Sequence, residues 1–135
     1  MITVNDVQKV AKSYYDEKTY EHAKRVCNYV IENQLIPTSI KYNCFVLAWM
    51  HDLLEDTDFR PEPEFDEYLL ECLIHLTKSR EEDYLTYIKR IKSTAHIYPE
   101  VYWVKLADMK DHLAQKETLT DKLKKKYLEA LPYLL

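Results

Sequence analysis

An all-α fold, a compact bundle of six to seven helices, is what this sequence predicts, and three observations lead there. No glycine occurs anywhere in the 135 residues. That removes the residue on which tight hairpins and left-handed turns most depend, and argues against a β-rich fold. Apolar residues recur at the three- and four-residue spacing of a helical face. Capping residues and prolines stand between these periodic stretches. The length suits a single domain, residues 1–135, with little room for another.

The elements follow in order. A first helix is predicted over about 5–15, with Thr3 and Asp6 spaced as a capping box and Val7, Val10, Ala11 and Tyr14 on one face. A second, over about 19–33, carries the stripe Ala23, Val26, Cys27, Val30 and Ile31. Pro37 stops the chain and Thr38 caps a third helix over about 39–54. Its apolar run from Cys44 to Met50 places it at the centre. Pro61 and Pro63 mark an irregular segment over 56–65. Helices are then predicted over about 66–76, 82–92 and 100–116, the last with Pro99 at its start. Thr120 and Asp121 open a final helix that should end before Pro132.

Composition excludes several function classes. Hydrophobic residues make up 47% and charged residues 31%, which is globular rather than disordered. No apolar run approaches the roughly 20 residues of a spanning helix, and MITVNDVQKVAK lacks the layout of a signal peptide. A cytoplasmic protein that does not enter a membrane is expected. Cys27, Cys44 and Cys72 have no metal-site spacing and lie among apolar neighbours, so buried reduced thiols are expected. A net charge of −4 speaks against a dedicated nucleic-acid binder. Acids dominate from Glu55 to Glu71, including Glu64, with Arg60 the only base, and could draw in a cation. Without glycine there is no P-loop and no dinucleotide fingerprint. Any phosphate chemistry must come from side chains and a metal.

Ionisable residues inside apolar sequence supply such a site. In VLAWMHDLLEDT, His51 and Asp52 interrupt the most hydrophobic segment, with Glu55 and Asp56 one turn further on. A buried carboxylate is costly unless paired or bound to a metal. His22 lies beside the apolar stripe of the second helix, and Asp108 follows Trp103, Val104, Leu106 and Ala107. Two imidazoles and two carboxylates form a mixed nitrogen and oxygen set. It suits one divalent ion, manganese foremost, with iron or magnesium as alternatives, better than a closed structural zinc. Glu55 and Asp56 are placed to handle protons.

The order His22, His51-Asp52, Asp108 resembles the H…HD…D signature of the HD-domain superfamily of metal-dependent phosphohydrolases. HDLLEDT and VKLADMKDH are similar to the HDxxEDT and KxADxxxN motifs of one branch, the hydrolase domain that removes the 3′-pyrophosphate from guanosine tetra- and pentaphosphate alarmones. The similarity runs from His22 to Leu135. It implies His22, His51, Asp52 and Asp108 as metal ligands, and Glu55 and Asp56 as the acidic pair that assists the attacking water. It also implies Lys78, Tyr84 and Lys105 in the nucleotide pocket. His112 stands where the branch has a nucleotide-contacting Asn, and is expected at substrate or metal. The basic, glycine-containing loop before the first His is YYDEKTYEH here, with Lys18 alone basic. The expected function is hydrolysis of a nucleotide phosphoester or diphosphate, with the alarmone foremost. Another nucleotide substrate, or a non-catalytic nucleotide-sensing domain, are the alternatives. Oligomeric state is not legible.

Overall fold

The computed structural model describes residues 4–63 and 65–135, and helix is the only regular secondary structure among them. The eight helical segments are α1 (Val4–Tyr14), α2 (Glu17–Glu32), α3 (Thr38–Met50), α4 (Leu53–Asp56), α5 (Glu67–Leu76), α6 (Tyr84–Ser93), α7 (Pro99–Ala114) and α8 (Asp121–Leu134). Since α4 is one four-residue turn, seven longer helices build the bundle, as expected. Thr3 and Glu64 lie outside the described residues. No described helix is long and apolar enough to cross a membrane.

Short polar side chains do the work at the helix starts. Asp16, Asp66, Asp83 and Thr120 each accept the backbone N–H three residues on, which satisfies a donor the helix cannot. Among the described residues no φ is positive, so a chain without glycine closes its turns with caps and extended residues. Pro99 occupies the first turn of α7, where its missing N–H costs nothing.

Three expectations need correction. Thr38 is the first residue of α3 rather than a side-chain cap. The helix α8 runs through Pro132 to Leu134: the proline removes one hydrogen bond in the last turn, while burial of Leu134 holds the end in place. The third correction bears on the site. The predicted continuous helix over 39–54 stops at Met50, and α4 begins anew at Leu53. At the break, Asp52 sits at φ −101° and ψ 0°, in the bridge region between helix and strand. The Tyr15 hydroxyl, from just beyond α1, enters here. It donates to the Trp49 carbonyl at 2.7 Å and accepts the Asp52 N–H at 3.2 Å. A side chain from outside the helix thus takes over backbone groups that the helix would have paired internally.

Packing centres on α3 and α7. The helix α2 lies against both, α1 and α5 against α3, and α5, α6 and α8 against α7. Val46, Leu47, Leu53, Leu73, Ile88, Val104 and Met109 are buried at the middle. All three cysteines are buried, unpaired thiols; burial, then the Glu100 carboxylate, push Cys44 and Cys72 up to about 12. The irregular segment after α4 is tied back by Phe59, whose ring meets the Tyr14 ring edge-on at 5.3 Å.

Tyr15→Phe tests the break directly. Removing the hydroxyl leaves a buried carbonyl and an N–H short of a partner, and should lower the unfolding free energy by about 1–3 kcal/mol. Urea denaturation would read this, and a loss below about 0.5 kcal/mol would show that the hydroxyl does not hold the junction.

Candidate metal centre

Three elements bring ionisable side chains to one point. The helix α2 supplies His22, the α3–α4 junction supplies His51 and Asp52, and α7 supplies Asp108. One ligand atom each from His22, His51 and Asp108 lies within 4.8 Å of the others, and all three residues are buried. The Asp108 Oδ1 is 2.8 Å from His22 Nε2 and 3.1 Å from His51 Nε2, and the two Nε2 atoms are 3.2 Å apart. Asp52 stands at the rim, its side chain 20% exposed, with Oδ2 3.2 Å from His51 Nε2 and 3.9 Å from His22 Nε2.

The outer hydrogen bonds decide which ring atom faces inward. His22 Nδ1 donates to Asp111 Oδ2 at 2.6 Å, and His51 Nδ1 donates to the Ala48 carbonyl at 2.6 Å. With Nδ1 carrying the proton, each neutral ring presents the Nε2 lone pair to the centre, which is how metal-binding histidines are usually held. Two facing lone pairs at 3.2 Å repel unless a cation lies between. The residues therefore fit a divalent ion.

A proton serves that purpose in the metal-free chain. Burial alone would lower the pKa of His22, but its hydrogen bonds to Asp108 and Asp111 outweigh this and raise it. For His51, burial again lowers, while the Asp52 charge and the Asp108 hydrogen bond raise it well above the usual value. Burial would raise the Asp108 carboxyl; the Lys105 ammonium, 2.7 Å from Oδ2, and the imidazole hydrogen bonds hold it well below the usual range.

Support for His22 comes from two residues the sequence reasoning passed over. Asp111 is fully buried on α7, and Arg25 Nε donates to its Oδ1 at 2.9 Å. Each follows an expected ligand by three residues, Arg25 after His22 and Asp111 after Asp108. That spacing puts each on its ligand's helix face, a signal that could have found them.

Beside the centre opens a cleft of about 200 Å³. Asp52, Glu55, Asp56, Lys78, Tyr84, Lys105 and His112 all line it. Every residue expected at the catalytic and substrate positions therefore reaches this cleft. Lys105 differs from expectation in one respect: its ammonium is buried and spent on Asp108, so Lys78 and the unforeseen Lys126 are the cations left in the cleft. Lys126 lies over the Tyr84 and Tyr127 rings, and burial, then Lys105 and Lys78, lower its pKa. Burial, then the Asp52 and Glu55 charges, raise Asp56 to about 6, and burial followed by Asp52 raises Glu55. A second cleft, of about 220 Å³, opens on the other side of His112 toward Lys18 and Arg25.

No protein-family model matches the chain, and no curated protein matches it. The site is read from its own geometry.

Two measurements follow. An ion at about 100 times its Kd adds about 2.7 kcal/mol to stability, which for this size raises Tm by roughly 10 °C. Calorimetry with manganese or zinc should show this rise in the wild type and not in Asp108→Ala. The increment should also depend on pH. Raised histidine pKa values stabilise the metal-free fold below about pH 6.5, and this contribution is lost as pH climbs through the folded values. A metal displaces the same proton, so its Tm increment should grow between about pH 6 and pH 8. An increment that shrinks over that range would contradict the proton–metal competition.

Proposed function

We propose that the chain is an HD-domain metal-dependent phosphohydrolase acting on a nucleotide phosphoester or diphosphate, with the alarmone 3′-pyrophosphate as the first substrate to test. The observation that carries this reading is the convergence of His22 Nε2, His51 Nε2 and Asp108 Oδ1, with both Nδ1 protons already committed elsewhere. Asp52 completes the set as fourth ligand, with manganese, iron or magnesium the ions first considered. Reduced, buried thiols suit the cytoplasm.

A divalent ion here would polarise a phosphoryl oxygen and lower the pKa of a water beside it. The protein's own groups do the rest. Asp56, with its pKa raised to about 6, and Glu55 lie on the cleft wall next to Asp52 and accept the proton of the attacking water. Lys78 and Lys126 line the same cleft and neutralise phosphate charge. Tyr84 and Tyr127 flank this cleft, with Lys126 over both rings and His112 stacked on Tyr127.

One observation favours a smaller substrate as second reading. A cleft of about 200 Å³ falls below the roughly 300–1,000 Å³ of sites that enclose a drug-sized ligand. A nucleoside monophosphate fits that volume better than a guanosine bis(diphosphate). A phosphoester and pyrophosphate panel with added metal separates the two. Turnover of the alarmone to a guanine nucleotide supports the first, and preference for a monophosphate supports the second. Tight nucleotide binding without turnover would point to the sensing alternative, and silence throughout would sink the enzyme reading.

Glu55→Gln and Asp56→Asn should each lower kcat by about 10²–10⁴ while metal content stays unchanged. Elemental analysis alongside steady-state kinetics checks both halves. Loss of metal in either variant would place that residue at the ion instead.

A further inference from the structure

We infer that His112 is a third imidazole ligand of the centre, so that the ion is held by His22, His51 and His112 together with carboxylate oxygen. The inference rests on the metal centre proposed above and not on hydrolysis.

The geometry begins on α7. His112 follows Asp108 by four residues, and its Nε2 is 3.2 Å from Asp108 Oδ1. This is the same oxygen that His22 Nε2 and His51 Nε2 approach at 2.8 Å and 3.1 Å. Three imidazole nitrogens from three elements thus surround one carboxylate oxygen. An oxygen with two lone-pair directions has no good use for three such neighbours as hydrogen-bond donors. Two of them, moreover, carry their protons on the far ring nitrogen. A cation beside that oxygen satisfies all three at once.

The ring is also held for the purpose. It lies against Tyr127, 5.0 Å between centroids and 9° from parallel, and against His22 on α2, at 4.5 Å and 32°. Flanked by two rings, His112 has little rotational freedom, and its Nε2 is held beside Asp108 Oδ1. The His112 side chain is 37% exposed and borders both clefts. It therefore sits where the centre opens to solvent, in the place of an outer ligand.

Two consequences separate this from the four-ligand set. A site with three imidazoles shifts from the oxygen-loving ions magnesium and manganese toward iron(II), cobalt(II) and zinc. One fewer octahedral position also stays open for water and substrate. A residue that merely positioned Asp108 would give neither.

Affinity alone does not decide, because losing a supporting partner of a metal ligand already costs about 10–100-fold. The deciding experiment counts nitrogens. The full chain, with ¹⁵N-labelled histidine, is loaded with zinc, and long-range ¹H–¹⁵N spectra are recorded for wild type and His112→Phe. Phenylalanine keeps the stacked ring and removes the nitrogen; His112→Asn provides a second variant should the first fold poorly. The expected result is three zinc-shifted Nε2 signals in wild type and two in either variant. Zinc affinity should fall by at least about 10-fold and manganese affinity by less. Two zinc-shifted signals in wild type, with the His112 Nε2 signal unmoved by zinc, would overturn the inference and leave the centre standing. Failure of the wild type to take up zinc, cobalt or manganese would overturn both the centre and the inference.

Discussion

Two imidazole nitrogens, each with its ring proton engaged on the opposite side, face one another across 3.2 Å beside a buried carboxylate oxygen. This arrangement exists only while something positive lies between them, and much of the molecule is arranged to keep it. It joins α2, the α3–α4 junction and α7, the same elements whose apolar faces form the middle of the bundle. The hydrophobic core supplies the energy of folding. The polar centre sits within it as a local cost, offset by Lys105, Arg25 and the Ala48 carbonyl. Each buried charge there has a named partner.

The interruption of the third helix is part of the same arrangement. A helix continuing through residue 54 would carry the 51 and 52 side chains on with its own periodicity. Stopping at Met50 and restarting at Leu53, the chain keeps helical backbone angles at His51, which meets His22, and departs from the regular helix at Asp52, which is left at the rim. The Tyr15 hydroxyl makes this stop tolerable by serving the backbone groups it leaves unpaired. A side chain that carries no charge thereby holds the junction at which two of the expected ligands stand.

Much of this could be read from the sequence, for identifiable reasons. The helices announced themselves through apolar spacing and through Asp and Thr at their starts. His22, His51, Asp52 and Asp108 stood out because ionisable groups in apolar surroundings demand a partner. The helix break stayed hidden because Leu53 and Leu54 continue the apolar pattern, and periodicity carries no sign of a hydroxyl arriving from α1. Lys126 joined the cleft from a lysine-rich stretch that reads as a solvated face, and only the docking of α8 on α6 and α7 shows its position. Arg25 and Asp111 were within reach of helical spacing alone. The engagement of Lys105 with Asp108 was not, because spacing gives neighbours and not their charge pairing.

With no glycine in the chain and no positive φ among the described residues, none of these positions holds a backbone shape that a β-carbon would resist. Truncating any of these side chains to alanine therefore imposes no penalty of backbone handedness. Losses seen in a systematic truncation series reflect the missing atoms themselves: a cap, a packed ring, a ligand. In most proteins glycine positions confound such a map. Here function and stability can be charted residue by residue on a single scale.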